Sequence, residues 1–449
     1  MTPSERRVTG TLSAIYILRM LGLFLLLPVL ALYAETLPGA TPAMIGLALG
    51  MYGLTQALFG IPFGSASDRF GRKPVITVGL LLFAAGSVLA AAAQSVTVII
   101  AGRALQGAGA VAAPIMALLA DLLRPEQRSK GMAAIGISIG GAYLVSLPLG
   151  PVLAAWLTVP GIFLMIAVLA LVMIGLLWWQ VPTPVVSRAV TRPSGQLRAA
   201  LSDPHLLRLY FSIMALHMLM TGTFVVLPPL LRDNLHLPVA QHLWLYLPTV
   251  LLSIAAMVPL IVYAERRARL KQVFVAMVGL LTGGLLVLLE GSHALWGVAA
   301  GLLAFLIAFN VLEATLPSMM SRLAPMAGRG SAMGVYSTAQ FLGAFIGGAG
   351  AGWLRGHHGA TGVLLAGLAL CVIWLAVSIG LQAPAHLKTQ LVDVGRLSPE
   401  RARTLTDELT ALVGVAEAVV IPEEGVAYLR VDGQRFEPAS LERFAAAKI

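Results

Sequence analysis

Apolar runs of about 17–25 residues, long enough to cross a bilayer core, recur along this chain from Thr11 to Gln382. Inside lipid every backbone N–H and C=O has to be bonded within the protein, which leaves helices and closed barrels. The runs are punctuated by glycine and proline and lack the alternation of strands, so they read as helices. The spans fall at 11–33, 42–66, 74–94, 96–122, 130–157, 160–181, 206–231, 242–264, 272–290, 294–321, 331–355 and 360–382, twelve in all. Charged residues make up 11% of the chain, where a soluble domain carries roughly 25%. Such a chain cannot clothe its surface in water.

The loops are not equivalent. With both termini on the inner side, the inner segments collect Arg6, Arg7, Arg69, Arg72, Lys73, Arg124, Arg128, Lys130, Arg188, Arg192, Arg198, Arg208, Arg266, Arg267, Arg269, Lys271, Arg322, Arg329 and Lys388, while the outer loops hold only Arg232 and Arg355. That bias orients the chain. The net charge of +10 is therefore a topology signal, and its spread over many short loops argues against nucleic-acid binding. The first span has no small-residue cleavage site and reads as a retained helix. Cys371 is the single cysteine, which excludes an intrachain disulfide or a cysteine metal cluster.

The organisation predicted is a six-helix bundle (1–181), a polar linker (182–204), a second six-helix bundle (205–382) and a polar tail (388–449). The halves repeat: Pro114-Ile-Met and Arg124-Pro-x-x-Arg128 correspond to Pro317-Ser-Met and Pro325-x-x-Gly-Arg329, and Ala155-Trp-Leu to Gly352-Trp-Leu. Parallel halves of this kind place a substrate site between them, near the midplane.

Between the second and third spans runs Gly64-Ser-Ala-Ser-Asp-Arg-Phe-Gly-Arg-Lys-Pro74. Gly64 is expected to let the second span approach a neighbour closely, and Gly71 to permit the sharp turn. Asp68 is placed to accept from Arg72 or to face an opposed helix N-terminus. Arg69, Arg72 and Lys73 are expected at the headgroups, with Asp121 and Arg128 near the same surface. This loop closely resembles the signature of the major facilitator superfamily of transporters. The resemblance implies that Gly64, Asp68, Arg69, Gly71, Arg72, Lys73, Asp121 and Arg128 form a conformational latch closing the inner face. A loop that only sets topology is the plainer reading. Arg103-Ala-Leu-Gln-Gly107 resembles a fourth-helix motif linked to proton handling in that superfamily; a structural clamp is its alternative. Gly150-Pro151, on the fifth helix, matches part of a motif of the drug:proton antiporters, with Ser146, Ala154 and Ala155 where that motif has glycines. It is expected to act as a hinge.

The remaining intramembrane polar groups are Arg19, Gln56, His217, Asn310, Glu313 and Gln340. Polar groups at that depth should face partners or a wet cavity, and with Arg103 they form the candidate proton and substrate pathway. Glu313, the one carboxylate well inside a span, is the leading proton carrier, with Arg103 as backup and a purely structural hydrogen bond as the alternative. His217 reads more readily as a satisfied core histidine. Arg19 is expected to pair with Glu313 or to bind an anionic group.

The tail reads as β-α-β-β-α: strands near 390–394, 418–421 and 426–431, a helix from Ser398-Pro399 to about Leu412, and a second helix from Pro438 to Ala446. That order is ferredoxin-like and resembles heavy-metal-associated domains, but no Cys-x-x-Cys follows the first strand, so no metal or other cofactor is expected. The superfamily resemblance covers nearly the whole chain. It implies an all-α polytopic fold with a small α+β tail, in a bacterial inner membrane, with a small-molecule substrate, protons and lipid as partners and a monomer as the unit. Proton-coupled efflux is the leading reading. Proton-coupled uptake and a sensor built on a transporter fold are the alternatives, and an enzyme is excluded for want of any catalytic constellation.

Overall fold

The computed structural model describes residues 1–183, 196–325, 328–382, 387–395, 397–422, 425–432, 436–441 and 444. The helices are α1 (Pro3–Phe24), α2 (Leu27–Glu35), α3 (Pro42–Phe70), α4 (Arg72–Ala91), α5 (Val96–Ala108), α6 (Ala112–Leu122) and α7 (Pro125–Gln180), then α8 (Gln196–Ser202), α9 (Pro204–Asp233), α10 (His242–Arg266), α11 (Leu270–Glu290), α12 (Leu295–Leu323), α13 (Arg329–Ile379) and α14 (Pro399–Thr410). Their starts follow local chemistry. In α1, α3, α9 and α14 a proline occupies the first turn, behind a capping Thr2, Thr41, Asp203 or Ser398 whose side chain accepts a backbone N–H. This pairing satisfies orphan donors and uses a residue that has none.

Ten continuous stretches are apolar and long enough to cross a membrane. Two are double: Lys130–Gln180 has 51 residues and Gly330–Ile379 has 50. Each turns back at a single residue outside helical geometry, Thr158 (φ 62°, ψ 168°) in α7 and Gly359 (φ 66°, ψ −167°) in α13. The twelve expected spans are thus all found among the described residues. The α7 reversal lies at Thr158, while α7 stays helical through Gly150 and Pro151; the expected hinge there is not a break in the chain path. Two spans are interrupted instead, the first at Leu25–Leu26 and the fourth at Gly109–Val111.

The alternation of helix directions gives the molecule two ends. One carries the start of α1, the α3–α4 loop and the end of α12, and is called the loop face here. The other carries Glu35, Asp233 and Gly359 and is the far face. Trp156, Trp244 and Trp296, all near the far face, are 80%, 71% and 84% exposed, as expected of an aromatic belt at a membrane boundary.

The tail has its own core of Val392, Leu405, Leu409, Leu429 and Val431. Strands β1 (Leu387–Asp393), β2 (Val415–Ile421) and β3 (Val426–Asp432) form an antiparallel sheet in the order β1-β3-β2, with Leu391 and Val419 both opposite Tyr428. The expected second helix is seen only as a 3₁₀ turn at Pro438–Leu441; 442–443 and 445–449 lie outside the described residues, as do Arg188 and Arg192 of the linker.

Candidate functional site

Among the described residues, polar clusters lie at both faces and in the middle of the molecule. At the loop face Arg72 is the hub. Its guanidinium donates to Asp68, to Ser67 Oγ at 2.8 Å and to Asp121 Oδ2 at 2.9 Å. One side chain thus ties the ends of α3 and α6 to the start of α4. Gly71 (φ 93°) makes the turn that brings Arg72 back over Asp68, a backbone region that L side chains avoid. Arg128 Nε donates to the Ala120 carbonyl at 3.0 Å. Two expectations change. Lys73 is buried, donates to the Val181 carbonyl at 2.8 Å and sits 4.5 Å from the Trp178 ring; it pins α4 to the end of α7 rather than facing headgroups. A Cβ on Gly64 would meet only Ala113 at 3.5 Å, so no close helix contact requires glycine there in this conformation. Arg69 is exposed beside the Phe70 ring.

The second half has its own version. Arg322, ending α12, donates to both oxygens of Glu265, ending α10, at 2.7 and 2.8 Å. In both halves, then, an arginine ties together the loop-face ends of corresponding helices, α3 and α6 in the first and α10 and α12 in the second.

In the middle of the molecule Gln340 of α13 bridges Glu313 of α12 and His217 of α9. Its Nε2 donates to Glu313 Oε1 at 3.1 Å and lies 2.9 Å from His217 Nε2. His217 Nδ1 lies 3.2 Å from the Ile213 carbonyl. This pattern assigns the ring proton to Nδ1 and leaves Nε2 as acceptor. Glu313 Oε2 lies 3.8 Å from His217 Nε2. Aromatic rings from both halves close over this cluster. Phe309 of α12 stands 5.9 Å from the His217 ring and 5.1 Å from Tyr143 of α7, whose hydroxyl meets Met220 Sδ.

Arg19 does not join Glu313. Its Nη2 donates to Tyr52 Oη at 2.8 Å and to Gln56 Oε1. Arg103 donates to the Gly22 carbonyl at 3.2 Å and to Gln106 Oε1 at 2.9 Å, and it faces the Tyr52 ring at 5.0 Å. Both arginines are fully buried and share Tyr52, while the carboxylate belongs to the other half. Asn310 also stands apart, donating to Ser253 Oγ at 2.9 Å as a tie between α12 and α10.

The far-face cluster was not singled out from sequence. Glu35, at the end of α2, accepts from Arg232 of α9 and Arg355 of α13, each at 2.8 Å. These two arginines are the pair that the charge count left in the outer loops, so the visible signal was an acid at the same depth. Below them α3 and α13 meet backbone to backbone: a Cβ on Gly46 would lie 2.7 Å from Gly352 Cα, and one on Gly348 would lie 2.7 Å from the Gly46 carbonyl. Elsewhere, a Cβ on Gly136, Gly140 or Gly141 of α7 or on Gly334 of α13 would meet no neighbour within 4 Å. Near the far face the two halves are in backbone contact.

Two parallel six-helix halves around a central polar cluster define a polytopic transporter. The chain belongs to the Major Facilitator Superfamily, which it matches over residues 12–348, and it is a secondary transporter rather than an enzyme. It is similar to the inner membrane transport protein YajR of Escherichia coli, 45% identical over 444 residues and covering 97% of both chains. That relationship and the apolar helices make it a multi-pass inner-membrane protein. It is also similar to the multidrug resistance protein MdtH of Salmonella newport, 28% identical over 75% of this chain and 83% of that one. Among solved structures, a bacterial homologue of the human lysosomal transporter Spinster, inward-facing and occupied, superposes with a TM-score of 0.68 at 15% identity, covering 84% of this chain and 97% of that one.

Proposed function

We propose that this protein exports a small molecule from the cytoplasm in exchange for protons, working as a monomer by alternating access with the loop face cytoplasmic. The observation that carries the reading is the Glu313–Gln340–His217 cluster, the intramembrane site where a carboxylate and an imidazole share one amide. An ionised Glu313 and a neutral His217 use both Gln340 amide hydrogens. A proton on His217 Nε2 removes that acceptor and releases one Gln340 hydrogen, whereas a proton on Glu313 leaves an accepting oxygen and removes the charge, so protonation and the packing of α9, α12 and α13 are linked. The MdtH relative, a multidrug resistance protein by name, supports export over uptake. Latch residues Asp68, Arg72 and Asp121 close the cytoplasmic face when the far face opens, and Arg19 and Gln56 belong to the pathway on the first-half side.

The test is transport in proteoliposomes of the purified protein. A substrate set drawn from cells with and without the protein is screened under an imposed pH gradient. Substrate movement against the proton flux supports antiport. Co-movement reverses the assigned direction, and no substrate-stimulated proton flux removes the coupling.

A further inference from the structure

The tail is fastened to the membrane part at a definite place. Arg430 lies on β3, only 7% exposed. Its Nη2 donates to the Ser321 carbonyl at 2.6 Å and its Nη1 to the Arg322 carbonyl at 3.0 Å, with Glu417 Oε2 of the neighbouring strand 3.4 Å away. Ser321 and Arg322 lie in the last turn of α12, where carbonyls have no intrahelical partner and the helix dipole is negative. A guanidinium is the side chain best shaped to take two such oxygens at once. Arg322 is thereby engaged twice, its carbonyl by the tail and its side chain by Glu265. The same helix carries Glu313 above, and the chain leaving it enters α13, which carries Gln340. The tail acids Glu408 and Glu417 pair with Arg401 and Arg430, inside the tail.

We propose that the end of α12 is the docking site of the tail domain, that Arg430 is its anchor, and that docking sets the position of α12 and so the rate of transport. The inference goes beyond the direction and coupling proposed above and holds for export or uptake alike. Loss of the anchor frees the last turn of α12 and the Glu265–Arg322 pair to move with the conformational change, while the intramembrane cluster is left intact.

Full-length protein in lipid nanodiscs, with Cys371→Ala as background, is spin-labelled at Val413→Cys on the tail and Arg267→Cys on the α10–α11 loop, both exposed. The native anchor gives one narrow distance distribution and Arg430→Ala a broad one. Arg430→Lys keeps a charge beside Glu417, so the tail stays folded, but a single ammonium cannot bridge the two carbonyls in the same way; its distribution is intermediate. Hydrogen exchange over β1–β3 checks the tail fold, and where Arg430→Ala has lost protection the Lys variant decides. In proteoliposomes of the same variants, transport of the substrate found in the screen described above changes in rate by roughly threefold or more, a modest coupling free energy. A distribution as narrow as the native one in the deciding variant overturns the anchor. A broad distribution with an unchanged rate overturns the control of α12.

Discussion

Glu313 sits where a carboxylate is costly, and its surroundings meet that cost only in part. One oxygen accepts from Gln340, while Oε2, 3.8 Å from the unprotonated His217 Nε2, has no hydrogen-bond partner among the described residues. A structural carboxylate and a proton carrier differ in what an uncharged replacement does. Glu313→Gln keeps the oxygen that Gln340 needs but cannot take a proton. Proton-driven transport is expected to fall roughly 5–150-fold, the range of an ordinary coupling free energy, while substrate binding by isothermal titration survives. Retained proton coupling in this variant means that another group carries the proton, and Arg103 is then next. Its tight packing against Gly22, Gln106 and Tyr52 is equally that of a clamp joining α1, α3 and α5.

At the scale of elements, α3 is asked to do two things. Its far-face half lies against α13 through Gly46, Gly50 and Gly53, and its loop-face end carries Asp68. Gly46→Val puts side-chain atoms where the α13 backbone passes, so the far face cannot close. The variant should fold, hold the far face open and lose turnover, as read by labelling of far-face cysteines; turnover at the native rate would show that this contact is not needed. The opposite end makes the opposite prediction. The Asp68–Arg72 pair lies within the first half, so the latch requires a contact of Asp68 with an opposed helix N-terminus when the loop face closes. Asp68→Asn weakens that contact, worth roughly 1–2 kcal/mol, enough for about a tenfold shift in a two-state balance. The state with the loop face open gains population, and disulfide crosslinking between the loop-face ends of α3 and α13 declines. Unchanged crosslinking rejects the latch.

The whole molecule is a balance between two closures, and Glu35 holds one of them. It is the first-half acid that meets two second-half arginines. Partly exposed ion pairs are each worth about 0.5–1 kcal/mol and are screened by salt. Glu35→Gln should therefore open the far face roughly fivefold more often, and high ionic strength should do the same to the native protein but not to the variant. Distance measurements across α2 and α13 check both arms; a variant as salt-sensitive as the native protein removes the clamp. The tail belongs to this scale too. Its core is separate from that of the bundles, so truncation after Gln382 is expected to leave the spans folded and transport present at an altered rate. Complete loss of transport in a well-folded truncated protein would make the tail essential.

The sequence by itself determined what depends on local chemistry and on the surrounding solvent. Span length and apolarity follow from the thickness of lipid, helix starts from Pro42 behind Thr41 or Pro399 behind Ser398, and the turn at Gly71 from the backbone region that turn needs. The loop motif was legible for the same reason, since Asp68 and Arg72 lie one helical turn apart and meet without help from the rest of the chain. Tertiary structure decided everything that joins distant spans. No periodicity shows that Arg19 turns to Tyr52 and Gln56, that Gln340 reaches Glu313 and His217 from another helix, or that Lys73 is buried against Val181. Helix rotation is fixed by packing across the bundle, and Gly46 against Gly352 is a fact about two backbones. The clamp at Glu35 and the anchor at Arg430 needed the fold most, because each partner is unremarkable alone. Their meaning comes from charges and carbonyls brought within hydrogen-bond reach by elements hundreds of residues apart.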